Sequence, residues 1–222
     1  GATEWSEVEP GEIIRLSKDT VSHSIFKGEE KKAFCPFEIV YFSRPESTYF
    51  GKSVAFHREN IGMVMAQQFA NEIEMMGMDQ ENTVIIAIPD SGIHSANGFA
   101  RFFGFPRTDA FIRNHFREGG RSFLQVDTNT RKQVVNDKIS VVTDLVKDKN
   151  VICIDDSIVR GHTSKRLMHM LREAKVRKAA FLSSFPKVLH PCFYGIDFPT
   201  RDELIAVGKT DVKIAEELGV DF

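Results

Sequence analysis

The sequence predicts an α/β protein in which a central, mostly parallel sheet is flanked by helices. Two observations lead to this fold class. Short, fully apolar runs of strand length alternate with segments of helical period, and turn-forming residues separate them. The chain has 222 residues, of which 42% are hydrophobic, so it can bury one substantial core. Parallel sheets bind ligands at the carboxyl ends of their strands, and functional residues are therefore expected directly after the apolar runs.

The first elements are predicted from composition and period. Residues 1–32 are polar and charge-rich and lack a sustained helical or strand period, so they are predicted to form an appendage. Phe37–Phe42 is aromatic and β-branched between two prolines, which predicts a short strand. Apolar residues at steps of three and four predict a helix over Asn60–Met76. Its expected buried face is Ile61, Val64, Met65, Phe69, Ile73 and Met76.

The remaining elements alternate in type, which is why the sheet is expected to be parallel. Strands are predicted at Thr83–Ile88, Asp109–Ile112, Val151–Ile154 and Ala179–Ser183. Helices are predicted at Ala96–Phe103 and Ser164–Ala174, and an amphipathic stretch follows at Val212–Leu218.

Charge and cysteine content exclude several classes of protein. The formal net charge of -2 gives no overall attraction to nucleic acid or to anionic membranes, so any phosphate site must be local. No apolar run approaches the ~20 residues of a spanning helix, so no membrane segment is expected. The cysteines, Cys35, Cys153 and Cys192, lie far apart and form no CxxC pair. A reduced, cytoplasmic protein is therefore expected.

Polar residues crowd the loop that follows the apolar run Val151–Ile154. They are Asp155, Asp156, Ser157, Arg160, Gly161, His162, Thr163 and Ser164. Two adjacent carboxylates can bind hydroxyl groups and Mg²⁺, and hydroxyls at a helix start suit a phosphate. The loop thus offers one end for a sugar and one for a phosphate.

Each of these residues alone is as well explained by turn formation or helix capping. The whole array after a buried strand is more specific. The order of apolar strand, acidic pair, serine, Arg-Gly, hydroxyl pair and helix resembles the phosphoribosyl-diphosphate signature of the type I phosphoribosyltransferases. This resemblance implies their fold, with a flexible loop and a small hood beside the sheet.

Within that superfamily, the extended motif DDSIVRGHTS resembles the glutamine amidophosphoribosyltransferases. Five further segments resemble the same family in order: Cys35–Ser47, Ile86–Gly92, Arg113–Gln125, Arg131–Ser140 and His190–Ala206. The resemblance implies transfer of the phosphoribosyl group from phosphoribosyl diphosphate to ammonia, giving phosphoribosylamine and pyrophosphate, the first step of purine synthesis. It also implies Mg²⁺ as cofactor and a homo-oligomer.

The resemblance also implies a division of the chain. Residues 1–33 are expected to be the end of a glutaminase domain and a linker, 34–207 the phosphoribosyltransferase domain, and 208–222 the start of a helical region. The catalytic cysteine of the family's glutaminase domain is not in the sequence. Glutamine hydrolysis is therefore not expected, and ammonia would come from a separate glutaminase domain or chain.

Residue roles follow from the matched motifs. Asp155 and Asp156 are expected to contact the ribose hydroxyls and Mg²⁺. The 5'-phosphate cradle is expected at Ser157, Arg160, Gly161, Thr163 and Ser164. The pyrophosphate is expected at Asp90, Ser91 and Gly92. Basic residues of the loop would neutralise the leaving group: Arg121 and Lys138, and less directly Arg113 and Arg131. Each of these basic residues also suits a solvated charged surface.

Three departures from the family pattern limit the resemblance. His162 stands where a hydroxyl residue or Asn is usual, and Arg113–Gln125 is about two residues longer than the family's segment. Cys35 and Cys192 match positions that ligate an iron-sulfur cluster in some members, but such clusters take four thiolates, so no cluster is expected in this chain. Two other functions stay open: a nucleobase phosphoribosyltransferase, and a non-catalytic regulator that senses phosphoribosyl diphosphate.

Overall fold

The computed structural model describes residues 6–26, 33–113, 139–194 and 200–222, and every structural statement below concerns these residues. The chain forms two units, Gly1–Pro36 and Phe37–Phe222. Among the described residues, no helix combines the length and the apolar character that crossing a membrane requires.

The first unit contains an antiparallel hairpin of strands β1 (Glu12–Leu16) and β2 (Val21–Ile25). Its turn is closed by the backbone N–H of Ser17, which donates to the carbonyl of Thr20 at 2.9 Å. The sequence predicts no strand in this region. Both strands are short and mostly exposed, so backbone pairing rather than an apolar alternation defines them.

The second unit is built on a parallel sheet of four strands, which confirms the predicted fold class. In sheet order these are β10 (Lys178–Ser183), β9 (Asn150–Asp155), β5 (Thr83–Ala87) and β6 (Arg107–Thr108). Strands β5 and β9 are buried along their whole length. Apolar runs without alternation are expected when helices cover both faces of a sheet.

The other strands and helices complete the second unit. The strands are β3 (Thr48–Tyr49), β4 (Lys52–Ser53), β7 (Phe111–Arg113) and β8 (Ile139–Val141). The helices are α1 (Val54–Gln68), α2 (Ala70–Met75), α3 (Ile93–Phe103), α4 (Thr143–Val146), α5 (His162–Glu173) and α6 (Asp211–Leu218), with a 3₁₀ turn at Arg201–Glu203. Strand β7 pairs with β8 outside the main sheet. Of the strand predicted at Asp109–Ile112, only Phe111 and Ile112 are in a strand, which is β7, whereas β6 of the main sheet ends before it at Thr108.

The predicted helix over Asn60–Met76 is confirmed as two helices that meet at Phe69. Most of its predicted apolar face is buried or half-buried, but the Val64 side chain is 60% exposed. The break changes the direction of the helical face, which a constant period of 3.6 residues does not anticipate.

Helices α1 and α3 cross with their backbones in contact. A Cβ atom added to Gly62 would lie 2.0 Å from the carbonyl oxygen of Ser95, and one added to Gly98 would lie 1.9 Å from that of Glu59. No side chain fits at either position. The two glycines therefore set the distance between the helices.

Two hydrophobic clusters cover the two faces of the sheet. Alternate residues of β5 and β9 point to opposite clusters, for example Ile86 and Cys153 to one and Ile85 and Ile152 to the other. Helices α5 and α6 contribute to the first cluster, and α1, α2 and α3 to the second.

The buried position of Cys153 predicts an unreactive thiol. Burial raises the pKa of Cys153 well above its usual value, and the negative charge of Asp155 raises it further. At pH 8, a disulfide reagent is expected to modify the exposed Cys35 within minutes and Cys153 only after unfolding in denaturant. Mass spectrometry of proteolytic peptides separates the sites, and fast labelling of Cys153 in the native protein would contradict its placement.

The strand predicted at Phe37–Phe42 is wrong. Residues Glu38–Phe42 form a π-helical turn, in which Val40 is buried. The guanidinium of Arg58 accounts for this shape because it donates hydrogen bonds to three carbonyls of this segment, those of Ile39, Tyr41 and Ser43. An extended strand would not direct these carbonyls to one donor group.

Candidate functional site

The candidate site lies where strands β5 and β9 end side by side. Ala87 is paired with Ile154, and the backbone N–H of Ile88 donates to the carbonyl of Ile154 at 2.9 Å. The segments that follow the two strands therefore start at the same edge of the sheet. These segments are the acidic motif and the predicted pyrophosphate loop.

The acidic pair is buried at the end of β9. The side chains of Asp155 and Asp156 belong to residues that are 9% and 6% exposed. The backbone N–H of Asp156 donates to Oδ1 of Asp155 at 2.8 Å, and the hydroxyl of Ser157 donates to Oδ1 of Asp156 at 2.5 Å. Burial raises the pKa of Asp155 well above its usual range, and the neighbouring Asp156 raises it further. A bound cation or several hydroxyl donors would stabilise the ionised pair.

The acidic pair provides only some of the oxygen ligands that a hard cation such as Mg²⁺ takes. Among the described residues, no group of three His, Cys, Asp or Glu side chains is placed to hold a metal ion. Mg²⁺ does not require such a cage, because it commonly takes one or two carboxylates and fills its shell with water and substrate phosphate oxygens. Asp155 and Asp156 are therefore sufficient protein ligands for a Mg²⁺ ion that arrives with a phosphorylated substrate.

The loop after the acidic pair leads into the amino end of helix α5. Gly161 precedes the helix with φ at 75°, a left-handed conformation that glycine adopts without strain. Because glycine has no side chain to cap the helix, the first N–H groups of α5 are available to an anion. His162 and Thr163 are exposed there, whereas Ser164 is buried.

A second segment, residues 203–205, is hydrogen-bonded to this loop. The backbone N–H of Ile205 donates to the carbonyl of Val159 at 2.9 Å, and Nε of Arg160 lies 2.5 Å from Oε2 of Glu203. Hydrogen bonds from Thr200 and from Arg160 lower the pKa of Glu203. Arg160, which the sequence assigns to the phosphate, is thus also tied to Glu203, and its contact with phosphate stays a prediction.

The packing of Ile205 against Gly161 can be tested by substitution. A Cβ atom added there would lie 2.5 Å from Cδ1 of Ile205. Gly161→Ala is expected to weaken phosphoribosyl-diphosphate binding by about tenfold, because alanine is strained at this positive φ and because the buried Ile205 side chain must move away from the loop. Equilibrium binding measures this effect.

Gly208 provides the matched control. Its φ is 70° and a Cβ atom there meets nothing within 4 Å, so Gly208→Ala adds the backbone strain without the clash. Equal losses of affinity in the two variants would contradict a role for the Ile205 contact. Restoration of affinity by adding Ile205→Ala to Gly161→Ala would support it.

The predicted pyrophosphate loop, Asp90 to Gly92, faces the same edge. Arg113 of β7 lies beside it, with Nη1 3.3 Å from Oδ2 of Asp90 and Nη2 donating to the carbonyl of Pro89 at 2.9 Å. A Cβ atom on Gly92 would lie 2.3 Å from the carbonyl oxygen of Ile154. Gly92 therefore lets this loop approach the end of β9 closely.

The structure thus brings together three of the predicted groups: the acidic pair, the loop from Ser157 to Ser164, and the predicted pyrophosphate loop with Arg113. Arg121, Arg131 and Lys138 lie outside the described residues, and their roles stay predictions. Cys35 is exposed and Cys192 is half-buried, and the expectation about an iron-sulfur cluster also stays a prediction.

Sequence reasoning missed three residues next to the site, which are Arg58, Glu203 and Ile205. Glu203 and Ile205 lie in His190–Ala206, which resembles a family segment, but that resemblance assigned neither residue a role beside the loop. Arg58 carries a weak local signal, since it lies in a helix whose neighbouring residues Val54 and Gly62 are buried at steps of four.

Comparison with known protein families identifies the same kind of domain that the acidic motif predicts. The family model described as the phosphoribosyl transferase domain matches residues 56–187, which span β5, β9 and the whole acidic motif. The chain belongs to the phosphoribosyl transferase domain family. Its fold is accordingly the type I phosphoribosyltransferase fold that the motif predicts.

Similar proteins of this family include several amidophosphoribosyltransferases. That of Bacillus subtilis is 39% identical over 100% of this chain and 44% of its own length. That of Haemophilus influenzae is 40% identical over 84% of this chain and 36% of its own length. The chain therefore spans less than half the length of these curated relatives.

A solved structure of an amidotransferase is similar to this chain over nearly the whole length of the chain. The B. subtilis glutamine phosphoribosylpyrophosphate amidotransferase, solved with ADP and GMP, superimposes with a TM-score of 0.78 at 38% identity. The match covers 96% of this chain and 45% of that one.

Proposed function

We propose that this phosphoribosyl transferase domain transfers the phosphoribosyl group from phosphoribosyl diphosphate to ammonia, forming phosphoribosylamine and pyrophosphate. The observation that carries the proposal is the meeting of the acidic pair, the free amino end of α5 and the Asp90–Gly92 loop at one edge of the sheet. The similarity to amidophosphoribosyltransferases along the whole chain supports ammonia as the acceptor.

The proposed contacts divide the substrate into three parts. Asp155 and Asp156 accept hydrogen bonds from the ribose hydroxyls and hold Mg²⁺. The 5'-phosphate lies at the amino end of α5, against Ser157, Arg160, Gly161, Thr163 and Ser164. The pyrophosphate lies on Asp90, Ser91 and Gly92, with Arg113, Arg121, Arg131 and Lys138 as its cationic partners. Mg²⁺ would supply positive charge to the pyrophosphate oxygens.

The reaction requires placed charges rather than a covalent nucleophile. The bond between C1 of the ribose and the pyrophosphate oxygen breaks, and its electron pair leaves with the pyrophosphate. The lone pair of ammonia forms the new C1–N bond, and the nitrogen then loses a proton to solvent. Positive charge develops on the ribose next to Asp155 and Asp156, and negative charge develops next to Arg113, so both changes are stabilised by groups already in place.

The source of ammonia and the setting of the enzyme are part of the proposal. A glutaminase domain or chain would supply ammonia, which is supported by the greater length of the relatives. Residues 1–33 would be the link to that domain, 34–207 the transferase domain and 208–222 the start of a helical region. We also propose that the protein is a cytoplasmic homo-oligomer. The cytoplasmic location is supported by the three cysteines, which form no disulfide.

Pyrophosphate release tests the acceptor. The protein is incubated with phosphoribosyl diphosphate and Mg²⁺, and ammonia or a single purine or pyrimidine base is added. Release that depends on ammonia supports the proposal. Release only with a base would show a nucleobase phosphoribosyltransferase, and tight binding without turnover would show a ligand-sensing regulator.

A further inference from the structure

Arg58 is a buried cation of helix α1 whose contacts lead to the candidate site. The residue is 4% exposed. Its Nε donates to the carbonyl of Ile39 at 2.7 Å, and its Nη2 donates to the carbonyls of Tyr41 and Ser43 at 3.3 and 2.9 Å. These acceptors are uncharged, so the hydrogen bonds satisfy the donors without neutralising the guanidinium charge.

The charge that compensates Arg58 belongs to the acidic pair. Burial lowers the pKa of Arg58, and the negative charge of Asp156 opposes this effect and raises it. A buried cation is costly unless an anion shares its low-dielectric surroundings. Arg58 and Asp156 therefore stabilise each other across the space between α1 and the end of β9.

Packing forms a second connection between the same two residues. The π-helical turn that Arg58 holds is preceded by Phe37, whose ring centroid lies 4.6 Å from that of Phe185. The backbone N–H of Phe185 in turn donates to the carbonyl of Asp156 at 2.8 Å. Val40 of the turn packs in the same cluster, together with Val188. The π-helical turn is thus connected to the backbone of Asp156 through Phe37 and Phe185.

We propose that Arg58 is a positioning residue for phosphoribosyl-diphosphate binding, which holds the Asp156 carboxylate in place through its buried charge. This inference rests on the proposed substrate but not on the proposed acceptor. Arg58 does not contact the substrate. A purely structural Arg58 would hold the π-helical turn through its hydrogen bonds alone, and its charge would have no effect on the ligand.

Two substitutions separate charge from hydrogen bonding. Arg58→Lys keeps the charge but cannot reproduce the planar fork that serves three carbonyls, whereas Arg58→Gln removes the charge and keeps a donor. Calorimetric titration with phosphoribosyl diphosphate and Mg²⁺ gives the affinity of each variant. Thermal unfolding shows that each is folded at the assay temperature. Arg101→Gln is the matched control, because Arg101 is an exposed arginine of α3 that pairs with Glu59 of α1, the helix that carries Arg58.

The proposal expects Arg58→Gln to weaken binding by roughly tenfold or more, and Arg58→Lys by about threefold or less. Arg101→Gln should leave the affinity unchanged. Equal losses in the two Arg58 variants, or no loss in either, would overturn the proposal. If Arg58→Gln does not fold, Arg58→Lys decides, because a tenfold loss in this folded, charged variant would show that the fork alone matters.

The binding assay also keeps this inference separate from the proposed reaction. A wild-type protein that binds phosphoribosyl diphosphate without using ammonia contradicts the proposed acceptor and still allows the Arg58 comparison. Where turnover with ammonia is seen, Arg58→Gln should raise KM for phosphoribosyl diphosphate more than it lowers kcat. The opposite split would overturn the positioning role.

Discussion

Replacement of both acidic residues, Asp155→Asn with Asp156→Asn, is expected to abolish measurable binding of phosphoribosyl diphosphate and Mg²⁺. The variant should also release pyrophosphate at least about a hundredfold more slowly, because two preplaced negative charges are lost where the ribose becomes positive. Equilibrium titration and the pyrophosphate assay measure the two effects.

The same variant is expected to stay folded. Asn keeps the shape of Asp and an oxygen that can accept the hydrogen bonds from the backbone of Asp156 and from Ser157. Because the pKa of Asp155 is raised by folding, its ionised form is disfavoured in the folded state, and neutralisation removes that cost. Loss of the Asp156 charge acts in the opposite direction, because it leaves the buried cation of Arg58 without its compensating anion. The two effects offset each other, so the melting temperature should stay close to that of the wild type at neutral pH.

Asp144→Asn is the control for this pair. Asp144 lies exposed in the first turn of α4, so its loss removes one negative charge from the surface and none from the site. Affinity should be unaffected. An Asp155 and Asp156 double variant that binds as tightly as the wild type would disprove the assignment of the acidic pair.

The central sheet could be predicted from the sequence because burial on both faces imposes a simple pattern. Strands β5, β9 and β10 are five or six residues long, and each contains an uninterrupted run of four apolar residues. Their structural bounds differ from the predicted ones by one residue at most at each end. The acidic motif follows β9 directly in the sequence, so its position at the sheet edge could be inferred from the strand alone.

The elements that were predicted wrongly depend on contacts between distant residues. The segment Phe37–Phe42 has strand-forming residues, but its carbonyls turn toward Arg58, which lies at least 15 residues further along the chain. The hairpin of the first unit is defined by backbone pairing, which leaves no clear apolar period. At Phe37–Phe42, tertiary contacts therefore override local preference, whereas the hairpin is a local pairing that the apolar pattern did not indicate.

The sequence did not predict which residues surround the site, because these residues are distant from the motif along the chain. Glu203 contacts Arg160 although the two residues are 43 positions apart. The segment His190–Ala206 resembles the family, but this resemblance does not indicate that Glu203 pairs with Arg160. The motif predicted which residues form the loop after β9. It did not predict that Glu203 and Ile205 contact that loop, because they belong to a different part of the chain.

Substitution of a glycine at the crossing of α1 and α3 is expected to destabilise the whole second unit. In Gly98→Ala, the new methyl group would lie 1.9 Å from the carbonyl oxygen of Glu59, which is backbone and cannot rotate away. The helices must separate, at a cost of roughly 2–3 kcal/mol in the free energy of unfolding, despite the better helix propensity of alanine. Chemical denaturation measures this loss.

Asn97→Ala is the matched control, because Asn97 is the preceding, half-buried residue of α3 and gains the same propensity without a backbone clash. It should be neutral or stabilising. Gly62→Ala, with its methyl group 2.0 Å from the carbonyl of Ser95, should resemble Gly98→Ala. Because one separation of the helices relieves both clashes, the double variant should lose less than the sum of the two single losses.

The helix crossing also connects stability to the site. Helix α1 carries Arg58, and α3 begins directly after Gly92 of the predicted pyrophosphate loop. A separation of the two helices therefore moves the cation away from Asp156 and shifts the loop relative to β9. Gly98→Ala should accordingly weaken phosphoribosyl-diphosphate binding even at temperatures where the protein is fully folded. A variant that is destabilised but binds normally would show that the two helices move without disturbing the site.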